Sequence, residues 1–350
     1  MTILFAILLF SILIFVHELG HFLAAKASGV RVNEFSLFMG PAIFKKQVGD
    51  TLYALRCIPI GGYCAMEGED QDTDDPHSFQ KAAWWKRLLI LVAGSAMNLV
   101  AGFLILAIVF APATQFVMPV IESSEEGCTV VREDGLHVGD EILKLDGETI
   151  YVQSDFATIL QLNPGDTHDI VVKRNGEKLV FNDYLMEKHL FPGEETERYG
   201  FSFSVVDATL KNKAQYVWNT GINVVRSVRL SLQMLLSGQA GLKDMTGPVG
   251  IVQIMSDTAE NSATALDAFY NMLYFGGFIA INLAVMNLLP IPALDGGRVV
   301  GLLLTCVIEG ITRKKLDPKY EGYIHGAGMI LLLVLMALIF FKDIFVIFKG

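Results

Sequence analysis

The run His17-Glu18-Leu19-Gly20-His21 sets two imidazoles four positions apart, with a carboxylate directly after the first. On an α-helix, residues i and i+4 share a face. Both rings can therefore hold one Zn2+ while Glu18 is placed to act as general base on water beside it. Residues 3–16 are apolar apart from Ser11, and Phe22-Leu23-Ala24-Ala25 continues the apolar helix past the motif. Counted from Ile3, His17 falls about 21 Å and His21 about 27 Å along a helix that crosses a hydrocarbon core of about 30 Å. An ionisable side chain at that depth costs roughly 2.5–3.5 kcal/mol. Three of them in so short a run need a partner, and a divalent cation satisfies all three. The plainer alternative is a helix that stops near Val16 and leaves the motif among the headgroups; apolar residues on both sides weigh against it.

Two imidazoles leave a tetrahedral zinc short of a third protein ligand, which catalytic sites take from elsewhere in the chain. His77 lies in a polar loop, His137, His168 and His189 in a long polar segment, and His325 just before the last apolar run. Asp295 is the better candidate. It follows Asn287-Leu-Leu-Pro290-Ile-Pro292-Ala-Leu and precedes Gly296-Gly297-Arg298. Two prolines cannot sit in an unbroken helix, and irregular backbone at membrane depth is tolerated only where it lines a cavity or is buried in protein. The alternative is an ordinary helix stop with Asp295 as its solvated cap.

The elements that must position these groups follow from composition. The chain has 350 residues, 52% hydrophobic and 18% charged, against roughly 25% charged in an average soluble domain, and a mean hydropathy of +0.45. That allows two or three domains, part of them in a bilayer, and excludes an ordinary soluble or disordered protein. A net charge of -10 without any Lys/Arg-rich tract speaks against a nucleic-acid partner. Cys57, Cys64, Cys128 and Cys306 form no CxxC pair and read as structural thiols.

Four stretches, residues 3–25, 88–111, 268–289 and 327–348, are long and apolar enough to span. Ala25-Lys26-Ala27 looks like a signal-peptide cleavage site, but no Lys or Arg precedes Lys26, so a spanning helix is the better reading. Residues 26–87 carry eight Lys/Arg and residues 298–319 five, which predicts that both segments are cytoplasmic and that residues 112–267 and both termini are outside.

The residues also resemble the site-2 protease family of intramembrane zinc metalloproteases, in particular its bacterial RseP-like branch with a single PDZ domain. The resemblance covers nearly the whole chain. It rests on HELGHFLAA from His17, Val30-Arg-Val-Asn-Glu-Phe35, Pro59-Ile-Gly-Gly-Tyr63, Gly94 and Asn98 of the second span, Thr246-Gly-Pro-Val-Gly250 and NLLPIPALDGGR from Asn287. Ser95 stands where the family pattern leads one to expect proline. The resemblance implies His17, His21 and Asp295 as zinc ligands, Glu18 as the catalytic base, and peptide-bond hydrolysis inside the membrane. It favours Asn287 as a substrate contact over a helix-packing role; for Asn98, helix packing is the preferred reading. It further implies single-span membrane-protein substrates already cut by another protease, such as anti-sigma factors or signal-peptide remnants, and a bacterial plasma membrane.

A substrate helix hides its scissile bond in its own hydrogen bonds, so the freed strand needs something to pair with. Residues 34–44 and 51–58 are rich in strand formers and are read, with the family, as a small sheet dipping into the membrane beside the zinc; a plain cytoplasmic hairpin is the alternative. The acidic run at 67–75 lacks the order of a calcium loop and reads as solvated. Residues 133–150 resemble a PDZ signature, with further hairpin character about Asn175-Gly176 and a weak carboxylate-loop candidate at 199–203. This domain either binds a peptide or acts as a steric filter. The helix expected over 224–236 carries Arg226 and Arg229 on its polar side and reads as lying on the outer membrane surface, or packed on the PDZ domain.

The expected fold is a multi-pass α-helical membrane protein with four transmembrane helices, a small membrane-associated β-sheet and an inserted extracytoplasmic PDZ domain. Its segments are helix 1 (1–30), cytoplasmic hairpins (31–87), helix 2 (88–111), the PDZ domain (116–208), an amphipathic segment (209–265), a broken helix 3 (266–303), a cytoplasmic connection (304–326) and helix 4 (327–348). A non-catalytic scaffold and a zinc transporter are the rivals. Retention of all four site residues counts against the first, and the apolar outer half of the first span against the second.

Overall fold

The computed structural model describes residues 2–69, 73–191, 195–241, 243–313 and 319–349. The chain divides into two compact units, residues 107–226 and the remainder.

The larger unit begins with α1 (Thr2–Ser28) and a long antiparallel pair, β1 (Val32–Val48) and β2 (Thr51–Met66). The start of β1 is flanked twice by β2: Phe35 opposes Cys64 on one side and Tyr53 on the other, while Phe44 to Val48 pairs with Leu55 to Thr51 across the Gly49 turn. Residues 62–66 therefore form one border of a small sheet. Both strands run past the predicted 34–44 and 51–58, because the β2 strand continues through Pro59 and the glycines that follow. Arg56 ties the layers together, donating to Glu34 Oε1 at 2.6 Å, to the Tyr63 hydroxyl at 2.7 Å and to the Gly40 carbonyl.

Next comes α2 (Trp84–Phe110), which starts a turn before the predicted residue 88 and opens on exposed Trp84 and Trp85, the kind of residue that sits at a membrane–water interface. Among the described residues, four helices are long and apolar enough to cross a bilayer: Thr2–Ser28, Trp84–Phe110, Ala265–Asn287 and Gly322–Val346.

The smaller unit is built on one sheet. Its strands are β3 (Gln115–Ser124), β4 (Glu141–Leu145), β5 (Glu148–Thr149), β6 (Thr167–Arg174), β7 (Glu177–Leu185) and β8 (Phe201–Asp207), in the order β7-β6-β4-β3-β8 with β5 on β4. The helix α3 (Ser154–Leu162) covers a core of Ile121, Leu136, Ile142, Leu145, Ile159 and Ile170. The β6–β7 turn is made by Asn175 and Gly176 with φ of 51° and 89°, the pair of left-handed residues that a type I′ hairpin requires. Asp140 is fully buried and accepts from Arg174 Nε and Nη2, both at 2.7 Å.

From α4 (Leu210–Leu236), Arg226 reaches Asp155 Oδ1 at 2.9 Å and the Thr149 carbonyl, and Asn219 reaches the Tyr151 carbonyl at 3.0 Å. Of the two readings of this helix, a position on the membrane surface or packing on the PDZ domain, the Arg226 contact fits the second: Asp155, almost fully buried, draws the guanidinium inward. Arg229 is exposed and bonds Gln233 at 2.8 Å.

The chain closes with α5 (Pro248–Glu260), α6 (Ala265–Asn287), α7 (Asp295–Thr312) and α8 (Lys319–Lys349). Gly247 offers no side chain to cap α5. Asp343 of α8 does so instead, accepting from the Gly247 and Gly250 amides at 3.0 Å each. Part of the predicted cytoplasmic connection, residues 314–318, lies outside the described residues.

Candidate metal centre

Side chains of α1 and of the start of α7 meet in the larger unit. His17 and His21 lie one turn apart on α1, 9% and 7% exposed, with ring centroids 4.7 Å apart. Asp295 is the first residue of α7. His17 Nε2 and His21 Nε2 are 3.1 Å apart, and Asp295 Oδ2 lies 3.2 Å from the first and 3.3 Å from the second. Ligands about 2.0–2.1 Å from a tetrahedral zinc are about 3.3 Å from one another, so the three atoms have the spacing of three corners around one ion. They are also the largest donor set that the described residues offer a metal.

Local chemistry explains the spacing. His21 Nδ1 lies 2.8 Å from the Ile90 carbonyl of α2. A carbonyl only accepts, so the proton is on Nδ1 and the Nε2 lone pair faces the cluster. Asp295 Oδ2 is buried with no hydrogen-bond partner. Lone pairs aimed at one another are unfavourable unless a cation lies between them, and two imidazoles with one carboxylate are a donor set that zinc takes.

α2 comes this close because Gly94 has no side chain: a Cβ there would sit 2.3 Å from His21 Nε2. A Cβ on Gly296 would meet the Leu288 carbonyl at 2.3 Å, so the turn from α6 into α7 can fold tightly only with glycine behind Asp295. Within that turn Ala293 has φ 78°, and its amide donates to His325 Nδ1 at 3.0 Å.

Glu18 borders the same cleft of about 640 Å³, together with Tyr63, Cys64 and Arg298. A Cβ on Gly62 would be 3.4 Å from Glu18 Cγ, so the border of the small sheet runs past this carboxylate. Asn287, the last residue of α6, has Nδ2 3.5 Å from His17 Nε2. All five residues singled out in the sequence, His17, Glu18, His21, Asn287 and Asp295, therefore border one site.

Three features of its surroundings were not legible. Asn98, read as a packing residue, faces His17 Nδ1 with its amide nitrogen at 3.4 Å. In the acidic run at 67–75, read as solvated, three of the described carboxylates are tied to other segments. Glu67 accepts from Asn33 at 2.7 Å, Asp75 pairs with Arg31 at 2.6 Å, and Glu69 pairs with Arg298, one turn after Asp295; residues 70–72 lie outside the described ones. The Ile90 contact uses a backbone carbonyl, which leaves no sequence signal.

Comparison with known proteins gives the chain a family. The family model described as Peptidase family M50 matches residues 5–335. The chain is 36% identical over 98% of its length, and 98% of the relative's, to a Clostridium perfringens protein named "Putative zinc metalloprotease". It is 34% identical to a Clostridium acetobutylicum protein with the same name, over 98% of this chain and 97% of the other. It is 29% identical to zinc metalloprotease RasP of Shouchella clausii, over 99% and 100% of the two chains. With its apolar helices and a buried site suited to zinc, the chain belongs to Peptidase family M50, the site-2 proteases, and is a zinc metalloprotease.

Proposed function

We propose that this protease hydrolyses peptide bonds within or beside the transmembrane segments of single-span membrane proteins, with His17, His21 and Asp295 as its zinc ligands. The observation that carries the reading is the set of 3.1–3.3 Å separations among their donor atoms, with both histidines inside a helix apolar enough to cross a bilayer and Asp295 just after the end of another. Held there, zinc supplies a Lewis acid that polarises the scissile carbonyl and brings the pKa of water towards about 7. Glu18 takes the proton from the attacking water and returns it to the leaving amine. The Asn287 amide, beside His17, donates to the substrate carbonyl as negative charge develops on its oxygen.

Before attack, the substrate must leave its helix. Residues 62–66 pair with β1 along one side, and the segment lines the cleft beside Glu18. An unwound segment added as a strand to that border would lie next to the base.

The smaller unit acts as an extracytoplasmic PDZ domain that admits only substrates already shortened outside, which makes the enzyme a step in regulated intramembrane proteolysis. Its support is the hairpin-rich sheet with α3 across it. The basic segments at 26–87 and 298–319 favour a cytoplasmic-facing site in a bacterial plasma membrane. With the four native cysteines replaced by serine, an impermeant thiol reagent should reach a cysteine introduced at Ser124 from outside only; labelling from the cytoplasmic side would reverse the topology. Cleavage of a single-span substrate in proteoliposomes, mapped by mass spectrometry, tests the main reading. Cuts inside or at the edge of the apolar span are expected, faster for the substrate without its outer domain. Cuts confined to soluble segments would contradict it.

A further inference from the structure

We propose that Asn98 is a positioning residue for His17: its carboxamide oxygen accepts the His17 Nδ1 proton and fixes the tautomer whose Nε2 faces Asp295. The proposal rests on the reading of His17 as a zinc ligand and adds to it what holds that ligand in its working form.

His17 Nε2 lies 3.1 Å from His21 Nε2 and 3.2 Å from Asp295 Oδ2. A nitrogen in that position must offer a lone pair to an ion, so the ring proton belongs on Nδ1. His21 meets the same demand through the Ile90 carbonyl at 2.8 Å. At His17, the atom facing Nδ1 is Asn98 Nδ2, at 3.4 Å. Two donors then point at each other, while Asn98 Oδ1 is buried without a hydrogen-bond partner and the residue is fully buried. Turning the carboxamide by half a revolution exchanges two atoms of nearly identical shape. It puts the orphaned oxygen in front of the Nδ1 proton. Outer partners of this kind orient metal-bound imidazoles and make them better ligands.

A packing role, which the position of Asn98 in the middle of α2 also suits, makes different demands. Packing needs volume and tolerates an apolar side chain; positioning needs an acceptor and tolerates a carboxylate. The test is the apparent zinc affinity of the full-length protein in detergent, measured by chelator competition, for Asn98→Leu and Asn98→Asp beside the parent, with the d–d absorption of the cobalt-substituted forms as a second readout. Asn98→Leu should weaken zinc binding by roughly 10- to 100-fold and alter the cobalt spectrum, whereas Asn98→Asp should stay within a few-fold of the parent. Asn98→Ala gives the same comparison if Asn98→Leu does not fold. Parental zinc affinity in the leucine and alanine variants, or an aspartate variant as weak as they are, would overturn the proposal. His17→Ala separates the two claims: if it kept parental affinity, the ligand reading itself would fall and this inference with it.

Discussion

Asp295 Oδ2 stands 3.2 Å from His17 Nε2, although the two residues come from opposite ends of the sequence and the oxygen has no hydrogen-bond partner. A buried carboxylate oxygen aimed at an imidazole lone pair makes sense around a cation. Asp295→Ala should therefore lose zinc along with activity. The loss should exceed the roughly 10- to 100-fold that follows removal of an outer hydrogen-bonding partner. Metal content measured by atomic emission decides it, and a stoichiometric complement of zinc in the purified variant would remove Asp295 from the ligand set.

The Glu69–Arg298 ion pair joins the loop after β2 to the first turn of α7, so it braces the two walls of the cleft. Both side chains are mostly buried, and a coupling of about 0.5–1 kcal/mol is expected, a two- to five-fold effect on kcat/KM. Reversing either charge alone should slow cleavage, and the exchange Glu69→Arg with Arg298→Glu should recover part of it. Additive losses in the double variant would show that the pair braces nothing.

Much of the site was readable because helical periodicity and proline are local signals. His17 and His21 share a face by spacing alone, and Pro290 and Pro292 mark the break that frees Asp295. What could not be read depends on which surfaces meet. The double pairing of Phe35 with Cys64 and Tyr53, the approach of Asn98 to His17 and the inward turn of Arg226 toward Asp155 are all contacts between segments far apart in sequence. A charged residue on an amphipathic helix looks solvated until its buried counter-ion is known. Glu69 and Asp75 of the acidic run at 67–75 misled for the same reason, since Arg298 and Arg31 lie far from them in the chain.

The buried pair Arg226–Asp155 gives a stability test. Asp155 also accepts from the Tyr151 and Val152 amides at 2.7 and 3.0 Å, so removing the guanidinium leaves the carboxylate buried but still hydrogen-bonded. Arg226→Ala should destabilise the smaller unit by about 3 kcal/mol, the low end for breaking a buried pair. Denaturant unfolding followed by hydrogen exchange in α3 would measure this. Unchanged protection would mean that α4 contributes nothing to the domain.

Asp140 sets an acid limit on the same unit. Burial alone would raise its carboxyl, but the hydrogen bonds from Arg174 and the His137 amide outweigh burial and hold it below the usual carboxylate range. A depressed carboxyl stabilises the fold above the unfolded value of about 3.9. That contribution is lost as pH falls through the lower, folded value. Between neutral pH and about pH 4 the parent should keep its full contribution from this group, with the loss confined to stronger acid. Asp140→Asn should be less stable than the parent at neutral pH by about 1.5–3 kcal/mol and show a flatter decline in acid. Parallel acid profiles for parent and variant would contradict the assignment.

The proposed mechanism gives the proton transfer to Glu18, at a zinc held by its neighbours. It is tested most directly by Glu18→Gln in the full-length protein, reconstituted with a single-span substrate, with zinc content and cleavage rate measured on the same preparation. Parental zinc is expected, with a cleavage rate reduced by at least the roughly 10²- to 10⁴-fold that general base catalysis supplies. A variant that keeps its zinc and cleaves as fast as the parent would contradict it.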